Sequence, residues 1–351
     1  MTVLVTGGAG FIGSNFVQQW LGARDERLVN LDALTYAGNL ANLAALDGDP
    51  RHVFVRGDIG DRALTDHMFA EHQPRAVIHF AAESHVDRSI HGPDAFIQTN
   101  VVGTFSLLKS ARGHWDSLSS PDRDAFRFVQ ISTDEVYGSL APDEAAFSEA
   151  RAFAPNSPYS ASKAAADHLV RAWFHTYGMP VVTTHCSNNY GAYQFPEKLI
   201  PLVIVNALAG APLPIYGDGQ QVRDWLYVDD HVDGVTRVLD AGRLGERYHI
   251  GGLNQLTNLD VVRTLCAVLD ELRPKAGSYA DQIRFVKDRP GHDRRYAMDA
   301  RKIERELGWR PQHSFEAGLR ETVQWYLDHQ PWVEAVTSGA YRQWTTLQYG
   351  A

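Results

Sequence analysis

Only two cysteines, Cys186 and Cys266, occur in the 351 residues, and neither has companions at metal-ligand spacing. A disulfide framework is therefore not expected, and both thiols read as small buried hydrophobes in a reducing compartment, the cytoplasm. Long hydrophobic runs are missing too: none approaches the roughly 20 residues of a membrane span. From Met1 the chain enters Thr2-Val3-Leu4-Val5-Thr6 with no charged leader, which predicts a soluble protein without a membrane partner or export signal. Positive charge is scarce. With a formal net charge of −9 there is no basic excess to neutralise nucleic acid, so any phosphate site must be local. What remains is a globular composition, 44% hydrophobic and 21% charged, on a chain long enough for two packed domains.

The first half alternates short apolar runs with helical patterns. Val3-Leu4-Val5 leads into Gly7-Gly8-Ala9-Gly10-Phe11-Ile12-Gly13 and then a helix through Trp20 and Leu21. Strand, glycine turn and helix in that order let a pyrophosphate approach main-chain N–H groups at the helix N-terminus. A second run, Arg27 to Leu31, ends at Asp32, about twenty residues on, where a ribose-binding acid is expected. Its charge would repel a 2′-phosphate, which favours NAD over NADP. Val53-Phe54-Val55 then leads to Asp58-Ile59, placed to flank an adenine, with a helix over 61–71. Ala76 to Phe80 leads to Ala81-Ala82-Glu83-Ser84, and Pro93 opens a helix to about Ala111. The pattern predicts an α/β fold, a Rossmann-type doubly wound parallel sheet, with residues 1–190 forming the NAD-binding domain. By the rule that ligands sit beyond the carboxyl ends of such strands, Asp32, Asp58, Ala81, Ser84 and Thr133 reach one edge. His79 and His85 read as packing or rim residues, and no metal site is expected.

His114 to Asp124 reads as a polar loop, and Phe126 to Ile131 as the next strand. It delivers Ile131-Ser132-Thr133-Asp134-Glu135-Val136-Tyr137-Gly138, where an apolar run ends in a hydroxyl and two adjacent carboxylates. In a regular strand neighbouring side chains point to opposite faces, so both acids converge on one ligand only if the backbone leaves strand geometry there. Carboxyls in different surroundings can act as proton donor and acceptor. Taken alone, the pair fits solvated turn residues after a strand better than it fits a site. Ala141 to Ala154 is an acidic, helix-poor stretch that could cover the site. Pro158 then opens a helix through Tyr177 with Tyr159 and Lys163 at i and i+4, on one face. The ammonium is expected to lower the tyrosine pKa, so that Tyr159 takes a proton from a substrate hydroxyl.

With the glycine turn, Asp32 to Gly38, Ala81 to Asp87, and Tyr159 with Lys163, the chain resembles the extended branch of the short-chain dehydrogenase/reductase superfamily acting on nucleotide sugars. Ser132 to Gly138, Cys186 to Gly191 and Arg289 to Tyr296 are similar to the 4,6-dehydratases of that branch, where epimerases usually carry small uncharged residues in place of Asp134 and Glu135. The resemblance implies a redox-neutral dehydration of dTDP-glucose with tightly held NAD. Tyr159, assisted by Lys163 and Thr133, removes the C4 hydroxyl proton; Glu135 removes the C5 proton; Asp134 protonates the departing C6 hydroxyl. It implies NAD contacts at Gly7, Gly10, Phe11, Ile12, Gly13, Asp32, Ala33, Leu34, Thr35, Asp58, Ile59, Phe80, Ala81, Ala82, Ser84, Thr99, Tyr159, Lys163 and Asn189. It implies substrate contacts at Ser84, Thr133, Asn188, Lys198, Leu199, Pro214, Ile215, Tyr216, Arg223, Asn258, Asp288, Arg289 and His292.

Residues 191–351 are expected to form a smaller mixed α/β substrate domain, with some segments returning to the first domain. Phe195 to Ile200 starts a helix whose N-terminal end and Lys198 suit a diphosphate. Tyr216 is placed to stack on a base. Arg223, Arg289, Arg294 and Arg295 supply local positive charge; Arg223 is the strongest diphosphate candidate, and Arg294 or Arg295 is expected to pair with Asp293. Helices are expected over 301–307 and 315–328, followed by an aromatic tail, Trp332, Tyr341, Trp344 and Tyr349, read as packing. The resemblance also implies a homodimer through the helices after Pro93 and Pro158. Rival readings are a dehydratase or epimerase for another nucleobase, or a non-catalytic NAD sensor.

Overall fold

The computed structural model describes residues 1–338; Tyr341, Trp344 and Tyr349 of the expected aromatic tail lie outside them. Seven strands form one parallel sheet: β1 (Thr2–Thr6), β2 (Arg27–Asp32), β3 (His52–Arg56), β4 (Ala76–His79), β5 (Arg127–Thr133), β6 (Val181–Cys186) and, from much later in the chain, a strand at Arg247–Ile250. The spatial order runs from that late strand through β6, β5, β4, β1 and β2 to β3. The chain reverses its direction of winding between β1 and β4, which opens the crevice where doubly wound sheets take their ligands.

The strands are continuous apolar runs because both faces are covered. Val3 and Val5 point into a core shared with Phe16, Trp20, Val232, Val235 and Leu239. Leu4, between them, points the other way, into a core with Val29, Leu31, Leu107, Leu108 and Trp173. This is the period-2 alternation of a strand written into two helical layers. Burying a side chain such as Phe16, 0% exposed, contributes about 2–3 kcal/mol.

The remaining strands build a smaller mixed region. β7 (Asn188–Tyr190) pairs parallel to β9 (Val222–Tyr227), and β9 pairs antiparallel to a strand at Gln255–Thr257. β8 (Leu213–Tyr216) pairs parallel to a strand at Ile283–Val286. A separate core of Ile200, Val203, Ile204, Trp225, Leu265, Phe315, Leu319 and Tyr326 holds these together. Trp332 joins it, and its indole N–H reaches Asn42 Oδ1 at 2.7 Å.

The helices Pro158–Tyr177, Arg301–Leu307 and Phe315–Asp328 begin and end where the sequence places them. Their punctuation is local: Ser157 and Ser160 form a capping box, and Gly178 closes the first helix in the left-handed region at φ +70°. Three expectations need correction. The helix after Pro93 is interrupted by a π-helical stretch, Ile97–Gly103, before Thr104–Ser117. The polar stretch His114 to Asp124 is not all loop, because buried side chains tie it down. His114 bonds the Pro74 carbonyl, the Trp115 indole donates to Arg123 O, and a short helix forms at Asp122–Ala125. The 141–154 stretch does not cover the crevice. Phe147, fully buried, exchanges backbone hydrogen bonds with Ala297 and Asp299 and pins it to the flank.

Candidate active site

A cavity of about 420 Å³ runs across the carboxyl ends of β1, β2, β4, β5 and β6 into the smaller region. Its first half begins at the glycine turn. Gly7 has φ +74°, and a Cβ there would lie 2.6 Å from Ala81 N; one on Gly13 would lie 2.2 Å from Gly7 O. Both glycines are required for the turn to close against its neighbours. Gly10 caps helix Phe11–Ala23 without a side-chain hydrogen bond, so first-turn N–H groups remain available to an anion at the positive end of the helix. At the end of β2, Asp32 accepts the Ala9 N–H on one oxygen and the Leu34 N–H on the other, both at 2.8 Å. Burial pushes its pKa up while these two bonds pull it down. Ala33, Thr35, Asp58, Ile59, Phe80, Ala81, Ala82, Ser84, Thr99 and Asn189 continue the same wall. Leu34, expected in contact with a cofactor, is not on the wall: at φ +52° it turns away and offers its backbone N–H to Asp32. A cradle closed by glycines, an open helix N-terminus and a strand-end carboxylate together fit the pyrophosphate and ribose of NAD.

The middle of the cavity is the end of β5. The strand stops at Thr133, and Asp134–Tyr137 form a 3₁₀ turn closed by Gly138 at φ +76°. This is the departure from strand geometry that two convergent neighbouring acids need. Thr133 Oγ1 accepts the Glu135 N–H and donates to Asp134 Oδ1, each at 3.3 Å. Asp134 is 1% exposed, and its Oδ2 is buried without a partner among the described residues. Burial, then Glu135 and Asp224, push its pKa well above the carboxylate range. Burial raises Glu135 as well, but Arg289, Lys198 and Arg223 oppose that rise. One acid is thus held towards its protonated form, while the other sits among cations that favour the carboxylate.

Tyr159 and Lys163 line the same space from helix Pro158–Tyr177. Lys163 Nζ donates to the Ile131 carbonyl at 2.7 Å, which anchors it to β5. The expected lowering of the tyrosine pKa is not found. Burial and the Glu135 carboxylate push the Tyr159 phenol well above its ordinary value, and only a hydrogen bond from Thr133 opposes them among the principal influences. Buried itself, the Lys163 ammonium is pulled down and engaged by a main-chain carbonyl.

The far end gathers Asn188, Lys198, Leu199, Pro214, Ile215, Tyr216, Arg223, Asn258, Arg289 and His292. Lys198 Nζ donates to Ser84 O at 2.8 Å, directly before helix Leu199–Leu208. Arg223 is 4% exposed; it donates to the Val222 and Asp293 carbonyls and lies 4.2 Å over the Tyr296 ring. Asp288 stands behind the wall, accepting from Gln221 and paired with His292 at 2.6 Å. Arg294 and Arg295 are off the wall. Neither pairs with Asp293: Arg294 reaches Asp218, Arg295 reaches Gln255 and the Glu144 carbonyl, and Asp293 accepts from Asn156 and Tyr296 instead. Three carbonyl or carboxylate acceptors nearer in space outcompete the sequence neighbour. Cys186, read as a core residue, is indeed buried but also faces the cavity. Its place was legible in principle, since it ends β6 in register with Thr133. Burial pushes its thiol up to about 12, so it is inert.

Comparison with known proteins gives one consistent result. The family model described as GDP-mannose 4,6 dehydratase matches residues 4–322. A dTDP-glucose 4,6-dehydratase of Xanthomonas campestris pv. campestris (strain B100) is 61% identical over 343 residues, 97% of each chain. The dTDP-glucose 4,6-dehydratase 1 of Escherichia coli (strain K12) is 57% identical over 357 aligned positions, 99% of each chain. Among solved structures, a dTDP-glucose 4,6-dehydratase from Streptomyces venezuelae with NAD bound superposes with a TM-score of 0.87 at 50% identity. That match covers 96% of this chain and all of the other.

Proposed function

The chain belongs to the nucleotide-sugar 4,6-dehydratase family, and from that premise we propose that it converts dTDP-glucose to the 4-keto-6-deoxy sugar nucleotide, as an NAD-dependent hydro-lyase. The observation that carries this reading is the Asp134–Glu135 pair on its 3₁₀ turn, two buried carboxyls on one cavity wall, both raised by burial, Asp134 well above the carboxylate range and Glu135 with three cations opposing the rise. Oxidation of a hydroxyl needs one proton acceptor; elimination needs a second base and an acid as well.

Bound NAD supplies a reversible two-electron acceptor. The residues supply everything else. Gly7, Gly10, Gly13 and Asp32 hold the dinucleotide on the β1–β2 side. Tyr159 takes the proton of the sugar 4-hydroxyl as its phenolate, a form that burial and Glu135 disfavour and that the Lys163 ammonium and the positive charge of the bound oxidised cofactor would have to restore. Lys163 is fixed to β5 by its bond to the Ile131 carbonyl. The C4 ketone so formed acidifies C5. Glu135, its carboxylate form favoured by Arg289, Lys198 and Arg223, removes the C5 proton. Asp134, kept protonated by burial, donates to the departing C6 oxygen, and water leaves. The C5=C6 bond so formed takes the two electrons back at C6 as hydride and a proton at C5 from Glu135, which gives the 4-keto-6-deoxy product with the cofactor reoxidised. Lys198, Arg223 and Arg289 neutralise the diphosphate, while Tyr216 and Asn258 border the base. In this reading residues 1–190 carry the cofactor half and residues 191–351 mainly the substrate half, with the Arg247–Ile250 strand returned to the first sheet.

The same reading makes the enzyme a cytoplasmic homodimer. Ile97, Val102 and Phe105 are 48%, 42% and 41% exposed on the segment after Pro93, and Phe105 meets Trp173 of helix Pro158–Tyr177 edge-on at 5.8 Å. These two helices share one apolar face, suited to a second copy. Incubation with dTDP-glucose or UDP-glucose, without added reductant, tests the function: a 4-keto product is expected from the first at far higher kcat/KM. Absence of product from dTDP-glucose by NAD-loaded protein refutes it.

A further inference from the structure

One short segment joins the cofactor sheet to three parts of the substrate half, the 197–198 turn, Tyr216 and Arg289. Ser84 to Arg88 comprises the end of the loop after β4 and the start of helix Val86–His91. The Ser84 carbonyl accepts Lys198 Nζ at 2.8 Å, His85 Nε2 lies 3.2 Å from the Glu197 carbonyl, and Arg88 Nε donates to the Glu197 carboxylate at 2.9 Å. Asp87 reaches furthest. Its Oδ1 accepts Arg289 Nη1 at 3.0 Å, and its Oδ2 accepts the Tyr216 hydroxyl at 3.2 Å. Those partners stand 202 and 129 residues away in sequence, and both line the cavity.

Asp87 is 5% exposed, and burial alone would raise its pKa; Arg289, His85 and Lys198 together hold it below the ordinary carboxylate value instead. A guanidinium gripped at one Nη by a fixed carboxylate has its plane set and its other N–H groups left for a phosphate. Arg289 lines the cavity, and among the described residues its Nε has no hydrogen-bond partner. The hydroxyl bond likewise fixes the phenol oxygen, and so the long axis, of Tyr216 on the cavity wall.

We infer that Asp87 is a positioning residue for the nucleoside diphosphate end of the substrate, holding the Arg289 guanidinium and the Tyr216 ring in one geometry from the cofactor-sheet side. The inference rests on the nucleotide-sugar reading above and adds to it a residue between the two ligand halves. Asp87 does not enter the proton transfers, which belong to the β5 turn and Tyr159. Its loss therefore shows in binding of the nucleotide more than in the chemical steps.

The test is the Asp87→Asn variant, isosteric but uncharged, titrated calorimetrically with dTDP on NAD-loaded protein. The dTDP Kd and the KM for dTDP-glucose are expected to rise about 10–100-fold, the range for a lost hydrogen bond to a charged group, while kcat falls less than about threefold. NAD content is expected to match the parent. A purely structural defect would lower kcat, NAD content and thermal stability together. A dTDP Kd within about twofold of the parent overturns the inference. Should Asp87→Asn fail to fold, Tyr216→Phe removes one of the two bonds and keeps the ring. It is expected to raise the dTDP Kd about 3–10-fold, and an unchanged Kd there also overturns the inference. If the parent protein binds neither dTDP nor UDP, the nucleotide-sugar reading falls and this inference with it; if the parent binds and the variants match it, only the inference falls.

Discussion

Replacing Asp134 by Asn separates the two properties that burial gives this residue, its cost to the fold and its use as an acid. One carboxyl oxygen has the Thr133 hydroxyl; the other is buried with no partner among the described residues, and the side chain is enclosed near Glu135 and Asp224. Its native pKa is raised, and an unfolded aspartate ionises near pH 3.9. Above that pH the unfolded chain has released a proton that the native state still holds. Native stability from this group is complete below about pH 3.9 and declines by about 1.4 kcal/mol per pH unit until the native carboxyl itself ionises. Asn has no such titration. Urea unfolding at fixed protein concentration, at pH 4, 5 and 6, is the assay. The stability of Asp134→Asn relative to the parent is expected to grow with a slope on the order of 1 kcal/mol per unit over that window. Turnover is expected to fall at least about 100-fold, because the general acid is gone. Oxidation at C4, seen as reduced cofactor in a single turnover, persists. A pH-independent stability difference refutes the account of Asp134 as a destabilised, protonated acid; retained turnover refutes its role.

Glu135→Gln is expected to lower turnover by about 100-fold or more and to abolish solvent deuterium incorporation at C5 of the sugar, read by mass spectrometry; incorporation at the parent rate refutes the assignment of the base. Gly13→Ala puts a Cβ 2.2 Å from Gly7 O and 2.8 Å from Gly8 Cα, both backbone atoms that cannot rotate away. Purified variant is expected to carry little NAD and to lose about 1–3 kcal/mol of stability, with full NAD content as the contrary result. Phe105→Asp, at an exposed site facing the postulated partner, is expected to sediment as a monomer at micromolar concentration while keeping its NAD; an unchanged sedimentation coefficient places the interface elsewhere.

Residue spacing alone settled a good deal. Val3 to Gly13 could be read as strand, turn and helix because glycine geometry is local and each of those elements obeys its own periodicity. The limits of helix Pro158–Tyr177 were legible for the same reason, with Ser157 at one end and Gly178 at the other. The strand-end rule brought Asp32, Asp58, Ser84 and Thr133 to one cavity without any tertiary information. Tertiary structure decided what depends on competition among partners distant in sequence. Of four arginines, Arg223 was singled out for the cavity and does face it, with Arg289, but Arg294 and Arg295, expected to pair with Asp293, are taken by Asp218, Gln255 and a carbonyl. The Tyr159 phenol is set by burial and Glu135 before Lys163 acts on it, because desolvation depends on the whole surround and i,i+4 spacing does not report it. The two acids were visible from the start as Asp134 and Glu135. Their different surroundings were not, for burial raises both while Asp224 adds to the rise at Asp134 and Arg289, Lys198 and Arg223 oppose it at Glu135, all brought to β5 by chain folded from the second half of the sequence.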